Sequence, residues 1–303
     1  MKIDIVIPTY KPGKDFPVLL QRLEEQELPP GRILVINTEK AFWDPSWEET
    51  CRILEVHHIS KEEFDHGGTR RMAADLCDGD ILVFMTQDAM PADRRLLRCL
   101  TEALCKEAGA GAAYARQLPR KDAGPIERST RAFNYPAVSH VYYEKDVAEH
   151  GIKTFYCSNV CAAYSREAYQ AAGGFLPRTI FGEDMMLAEK LIRNGYGIVY
   201  AADALVIHSH DYSCREQFRR NFDIGVSHAE HPEVYASVPS EGEGIRMVRM
   251  TAARLLGSGH FYLLPYLVVQ SGCKYAGYRL GKMYRKIPRA LVRRLSFNPG
   301  YFA

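Results

Sequence analysis

The sequence predicts an α/β fold: a mostly parallel sheet with helices on both faces, followed by a helical C-terminal part. Two observations carry this. Short β-branched runs alternate with segments of helical spacing from Ile3 to Ala115. Polar residues recur where those runs end, which is where such sheets bind ligands.

Ile3 to Ile7 is a strand ending at Pro8-Thr9-Tyr10. Phe16 to Glu27 has helical spacing through Phe16, Leu19, Leu20 and Leu23. Arg32 to Ile36 is a second strand, ending at Asn37-Thr38, and Glu55 to Ile59 a third. Gly67-Gly68-Thr69 opens a helix. Asp80 to Met85 is a fourth strand, Arg94 to Ala108 a helix and Ala110 to Ala115 a strand. From Leu118 to Thr154 the periodicity fades and aromatics gather, which reads as a binding segment or flap. Then come a strand at Cys161 to Tyr164, a helix from Arg166 to Ala172 and a turn at Gly173-Gly174. A helix from Glu183 to Arg193 follows, with strands at Gly197 to Tyr200 and into His208. Pro239-Ser240-Glu241-Gly242-Glu243-Gly244 reads as a linker. It divides a domain at 1–238 from a helical extension at 245–303, with helices at Ile245 to Leu256 and Tyr262 to Leu295.

At 47% hydrophobic and 25% charged, the chain can bury a core. Its net charge of +2 hides an asymmetry. Ser271 to Ala303 carries eight Lys/Arg and no acid. No recognition motif accompanies this charge, so nucleic acid is not an expected partner. The eight cysteines form no CxxC, and the Cys157/Cys161 pair has no second pair to complete a zinc site. Reduced thiols in the cytoplasm are expected. Met1 to Pro8 carries Asp4 and reads as a strand, not a signal peptide. The longest apolar run, Phe261 to Val269, is broken by Pro265 and falls short of the ~20 residues that span a bilayer.

Three polar clusters and a Gly-rich loop carry the candidate chemistry. Gln87-Asp88-Ala89 closes a strand, where a carboxylate suits a metal or phosphate; Asp88 could equally cap a helix. Glu183-Asp184 after Gly182 opens a helix, where a carboxylate serves as a general base or complements the dipole. His208 and His210 alternate along a strand and so share a face, as metal ligands or as structural histidines. Gly67-Gly68-Thr69-Arg70 could hold an anion on backbone N–H groups or be a tight turn.

The set resembles glycosyltransferase family 2, inverting enzymes of the GT-A fold. The matching residues are Ile5-Val6-Ile7-Pro8-Thr9-Tyr10, Thr86-Gln87-Asp88-Ala89 at the D-x-D-like position, and Gly182-Glu183-Asp184. Within the family it is similar to bacterial rhamnosyltransferases, through Phe64 to Arg70, Tyr114 to Pro119, Phe133 to Pro136, Ser158-Asn159 and His208 to Ser213. Two positions depart from the pattern. Asn37 replaces the acid that contacts the base, and Gln87 replaces the first Asp of D-x-D.

The resemblance implies a Rossmann-like GT-A catalytic domain. It implies transfer of a sugar, L-rhamnose from dTDP-L-rhamnose, to a lipid-linked cell-surface polysaccharide at the cytoplasmic membrane. Pro8, Thr9, Tyr10, Asn37, Thr38, Gly67, Thr69, Arg70, Gln87, Asp88 and Ala89 would bind the donor. Asp88, His208 and His210 would hold Mg²⁺ or Mn²⁺. Asp184 would be the base and Glu183 its helper. Arg116, Gln117, Asn134, Tyr135, Ser158 and Asn159 would contact the acceptor or the sugar. A UDP-sugar donor is the alternative within the class, a nucleotidyltransferase the alternative chemistry, and a membrane scaffold the non-enzymatic one.

Overall fold

A computed structural model describes residues 1–235 and 241–302. The chain divides into two compact units. The first comprises Met1–Leu118, Tyr135–Pro177 and Glu183–His208; the second comprises Pro119–Asn134, Arg178–Gly182 and Ser209–Ala303.

The first unit is built on one sheet. Its strands are β1 (Ile3–Tyr10), β2 (Arg32–Thr38), β3 (Leu54–Ile59), β4 (Ile81–Met85), β5 (Met90–Pro91), β6 (Ala110–Leu118), β7 (His140–Tyr142), β8 (Cys161–Ser165) and β9 (Gly197–Ile207). They lie in the order β3-β2-β1-β4-β8-β6-β9-β5, with β7 also on β9. The β3-β2-β1-β4 half is parallel, β8 runs antiparallel to both neighbours, and β6 and β9 are again parallel. Central strands buried on both faces read as continuous apolar runs, as β4 does with Ile-Leu-Val-Phe-Met wholly buried. Helices α1 (Phe16–Glu24), α2 (Ser46–Thr50), α3 (His66–Leu76) and α4 (Leu96–Lys106) follow the early strands. The apolar stripe of α1, Phe16, Leu19, Leu20 and Leu23, is buried in the main core.

Two expectations change here. The strands at 197–200 and 204–207 are one strand, β9, with a register shift opposite Ala115/Arg116. The stretch from Leu118 to Thr154 is not structureless. It holds α5 (Pro125–Asn134), β7 and α6 (Val147–His150). The signals were Pro125 at a first helical position and Glu127 four residues before Arg131, which pair at 2.6 Å. Later in the chain α7 (Arg166–Ala171) and α8 (Glu183–Arg193) complete the unit.

In the second unit, α9 (Cys214–Glu230) was not read from the sequence, although Ser213 and Glu216 form a capping box at its start. After the short α10 (Pro232–Tyr235) come α11 (Glu241–Gly257), α12 (Leu264–Lys282) and α13 (Arg289–Leu295). Of the expected linker, Pro239 and Ser240 lie outside the described residues, and the chain from Glu241 onward is helical. That helix packs on α5, where Arg254 donates to the Ser129 carbonyl at 3.0 Å. The helix expected through Leu295 instead breaks after Lys282 and resumes beyond Pro288, which cannot sit inside a helix.

Helices α9 and α12 pack along their length because glycines let their backbones touch. A Cβ on Gly277 would meet the Phe218 carbonyl, one on Gly281 the Phe222 carbonyl, and one on Gly225 the Tyr278 carbonyl. Gly281→Val should therefore destabilise the protein by at least ~1–3 kcal/mol, the usual cost of overpacking. The urea midpoint reads this, and an unchanged midpoint would mean that the helices do not meet there.

Candidate active site

The site assembles at the C-terminal ends of the strands of the first unit. Residue Asp88 follows β4 after a turn in which the Ala89 N–H donates to the Thr86 carbonyl at 3.1 Å. The next residues form β5, antiparallel to β9 with Met90 opposite Ile207. This pairing sets Asp88 beside His208, with Asp88 Oδ2 3.5 Å from His208 Nε2. Asp88 is exposed, and it caps no helix, because α4 begins only at Leu96. Its neighbour Gln87 clasps the end of β1: Gln87 Oε1 accepts from the Tyr10 N–H at 2.8 Å and its amide donates to the Tyr10 carbonyl at 3.1 Å.

Hydrogen bonds, joined by the peptide link between Ser158 and Asn159, connect His208 to the Glu183-Asp184 pair. His208 Nδ1 lies 3.0 Å from Gln117 Oε1, and Gln117 Nε2 donates to Ser158 Oγ at 3.0 Å. With its amide nitrogen given to Ser158, Gln117 accepts from Nδ1–H, and the Nε2 lone pair of His208 then faces Asp88. The next residue, Asn159, donates its backbone N–H to Asp184 Oδ2 at 3.1 Å and its side-chain amide to Glu183 Oε1 at 3.2 Å. The Tyr164 hydroxyl fixes that amide by donating to Asn159 Oδ1 at 2.8 Å. Beyond it, Arg70 pairs with Glu183 at 3.2 Å, both side chains being buried.

The two adjacent carboxylates are driven apart. Burial opposes the Glu183 charge, but Arg70 and then His66 outweigh it and hold this carboxyl below its usual range. Burial and the Glu183 charge push Asp184 up to about 7, against the N–H groups of Asn159 and Met185 that favour its ionised form. Asp184 keeps a partly exposed edge at the start of α8. Such a carboxylate accepts a proton near neutral pH.

Other expected donor residues take varied places. Thr9 and Asn37 are buried; Thr9 Oγ1 donates to Asn37 Oδ1 at 3.0 Å, and Asn37 Nδ2 donates to the Glu39 carbonyl at 3.1 Å and lies 3.1 Å from His58. Both ends of the Asn37 amide are thus engaged inside the protein. Thr38 is also buried, with no hydrogen-bond partner for Oγ1 among the described residues. Pro8 is half-buried, and Ala89 and Thr69 are buried. The Gly67 and Gly68 N–H groups donate to the Asp65 carboxylate, at 3.0 and 2.8 Å, so Asp65 already occupies the expected anion cradle and caps α3. Tyr10 is exposed and meets Phe42 edge-on at 5.7 Å, with Lys11 Nζ 4.5 Å from the Phe42 ring centre. The sequence reading missed Phe42; its one signal is an aromatic just beyond the second strand's end.

Of the expected acceptor contacts, Gln117, Ser158 and Asn159 belong to the connection just described. Tyr135 is a core residue whose hydroxyl lies 2.7 Å from that of Tyr156, and Asn134 ends α5 in the second unit. Arg116 is half-buried, with its Nε unbonded among the described residues. The alternation expected of the two histidines has no strand beneath it, because β9 stops at Ile207. His210 belongs to the second unit, where its N–H donates to Glu127 at 3.4 Å and its ring stacks on Tyr212 at 4.9 Å. All eight cysteines are free thiols.

Asp88 and His208 offer a possible metal site. A carboxylate oxygen beside an imidazole nitrogen suits Mn²⁺ better than Mg²⁺, which prefers oxygen ligands throughout.

Residues 4–173 match the sequence pattern of glycosyl transferase family 2. The chain belongs to that family. It is similar to the O-antigen chain rhamnosyltransferase RfbN of Salmonella typhimurium, at 36% identity over 100% of this chain and 96% of the relative. It is similar also to the O-antigen chain rhamnosyltransferase WbaN of Salmonella anatum, at 34% identity over 98% and 95%. Among solved structures it resembles the mannosyltransferase PcManGT of Pyrobaculum calidifontis, in complex with GDP-Man and Mn²⁺. The TM-score is 0.58 at 18% identity, over 99% of this chain and 84% of that one. A second is S. aureus TarS 1-349 with UDP-GlcNAc, at a TM-score of 0.53 and 16% identity, over 94% and 92%. These likenesses show the GT-A fold, and the protein is a glycosyltransferase.

In this family 2 enzyme, Glu183→Gln removes the charge that helps hold Asp184 up and leaves Arg70 facing it. The Asp184 pKa should fall from about 7 toward the ordinary carboxylate range. Carbon-13 NMR of the side-chain carboxyls would follow it, and a titration identical to wild type would mean that the two groups do not interact.

Proposed function

We propose that this glycosyltransferase moves L-rhamnose from dTDP-L-rhamnose to a lipid-linked cell-surface polysaccharide, with inversion at the anomeric carbon. The observation that carries the mechanism is the Asp184 carboxylate, raised toward neutrality and joined through Asn159, Ser158 and Gln117 to the Asp88–His208 pair. The rhamnosyl reading rests on the names of the two full-length relatives. Donor base and sugar enter from that resemblance, since the Asn37 amide is engaged within the protein.

In this mechanism Asp184 takes the proton from an acceptor hydroxyl as its oxygen forms the new bond to the anomeric carbon. The bond from that carbon to the nucleoside diphosphate breaks on the opposite face, and the electron pair leaves with the phosphate. One displacement inverts the centre, and no protein nucleophile is needed. Glu183 stays ionised on Arg70 and raises the basicity of Asp184. Asp88 and His208 would hold a divalent cation. When bound, it would neutralise charge on the departing diphosphate. Gln117 fixes the His208 tautomer for that role. Tyr10 and the Tyr10–Gln87 clasp would shape the nucleoside floor, with Pro8, Thr9 and Thr38 beneath.

Asp184→Asn and Asp88→Ala should fail in different ways. The first should lower transfer by ~10²–10⁴-fold, the usual cost of losing a general base, with donor affinity nearly unchanged. The second should weaken donor binding, and EDTA should mimic it on wild type only. Calorimetric donor titration alongside turnover separates the two. Near wild-type turnover in Asp184→Asn would place the base elsewhere, and indifference to both Asp88→Ala and EDTA would remove the metal from the mechanism.

The same reading puts the enzyme at the cytoplasmic membrane surface. Among the described residues, no helix is long and apolar enough to cross a membrane. No Asp or Glu follows Glu243, while Leu256, Phe261, Tyr262, Val268 and Val269 are exposed around the start of α12. Basic charge near an anionic leaflet contributes about 1 kcal/mol per residue, and exposed aromatic and aliphatic side chains insert at the interface. Cutting away residues 271–303 would not test this cleanly, since α12 is the packing partner of α9. Replacing Phe261, Tyr262, Val268 and Val269 by Ser should release the enzyme from phosphatidylglycerol vesicles. Equal co-sedimentation of variant and wild type at moderate salt would contradict the docking surface.

A further inference from the structure

The second unit contains a cavity of ≈ 180 Å³ that no part of the mechanism uses. Its walls include Tyr212, Tyr266, Glu127, Gln217, Gln270 and Lys274, from α5, the start of α9, α12 and the segment between His210 and Tyr212. In sequence this lining resumes two residues after His208.

The wall chemistry narrows the ligand. The Tyr266 ring offers a flat apolar face, while the Tyr212 ring is already stacked on His210. Around them stand two amides, an ammonium and the carboxylates of Glu127 and Asp211. Asp211 accepts from the Gly124 N–H at 3.3 Å, and Glu127 is paired with Arg131. No hydrogen bond or ion pair reaches the Lys274 ammonium among the described residues. Burial lowers its pKa, with Glu127 opposing that and Arg220 reinforcing it. An apolar ligand would strand these polar groups without water, and a phosphate would meet two carboxylates. The volume is below the ~300–1,000 Å³ of pockets that take drug-sized ligands. A single neutral polyhydroxyl ring fits the walls: hydroxyls for the amides, carboxylates and ammonium, and a C–H face for Tyr266.

We propose that this cavity is a subsite for one neutral pyranose unit of the acceptor glycan, stacked on Tyr266 and hydrogen-bonded by Gln217 and Lys274. The proposal rests on the reading of the acceptor as a polysaccharide, and its test is independent of transfer. Neither Tyr266 nor Gln217 takes part in the chemistry at Asp184.

Saturation-transfer NMR on the full chain, with the methyl pyranosides of L-rhamnose, D-mannose, D-galactose and D-glucose as probes, reads occupancy directly. At least one should give a signal in wild type. Tyr266→Ala should weaken that binding by roughly three- to tenfold, the loss of one aromatic contact. Gln217→Leu, at the half-buried first turn of α9, should weaken it independently should Tyr266→Ala fail to fold. Donor hydrolysis, measured in parallel, should stay at the wild-type rate in both. Undiminished pyranoside signals in the folded variants, no signal from any pyranoside, or displacement of the sugar by inorganic phosphate would overturn the subsite. Loss of donor hydrolysis in wild type would instead strike the transfer reading and leave the sugar-binding result standing.

Discussion

Two carboxylates begin the same helix, and the site depends on how they are kept from repelling each other apart. Glu183 and Asp184 are neighbours at the first turn of α8, where the helix dipole favours negative charge but cannot alone hold two buried charges. Asn159 binds both, one through its backbone and one through its side chain, and Arg70 neutralises Glu183 from behind. The result is asymmetric. One carboxyl stays ionised on Arg70, and its neighbour is pushed up to about 7. Breaking a buried pair of this kind by removing one partner usually costs about 3–5 kcal/mol, because a buried charge is left uncompensated. Arg70 and Asn159 are accordingly as necessary to this arrangement as Asp184 itself.

The same constraint reaches the other half of the site through the backbone. Asn159 follows Ser158, which receives the Gln117 amide, which in turn orients His208. Beside His208 stands Asp88, brought there only because the two-residue β5 pairs with the end of β9. Three strand ends, the approach to β8 and the beginnings of α3 and α8 thus gather residues 88, 117, 208, 159, 70 and 184 from distant parts of the sequence. Each side chain is held by a partner that is itself held, which is how a site keeps its geometry before substrate arrives.

Much of this was legible in the sequence because local patterns were strong. The parallel strands appear as apolar runs, α8 starts and stops where its spacing says, and Asp88, Asp184 and His208 sit at element ends. Partnership was less legible. Nothing local says that Asp65 takes the Gly67 and Gly68 amides, or that Asn37 spends its amide on Thr9, Glu39 and His58. Arg70 reads as a phosphate ligand in sequence and is a carboxylate partner in space. The amphipathic α5 was hidden among aromatics, and α9 was missed although its capping box was in view. The α9–α12 contact explains Gly277 and Gly281, which by composition alone look like weak points in a helix.

The central claim is that one carboxylate, Asp184, acts alone as a base in a single displacement. The measurement closest to it is the anomeric configuration of the product. Proton NMR of the linkage formed from a donor of known configuration gives it directly. The account predicts a product whose anomeric configuration is opposite to the donor's. Retention would require a second displacement and a nucleophile that this arrangement does not supply, and would contradict the mechanism as a whole.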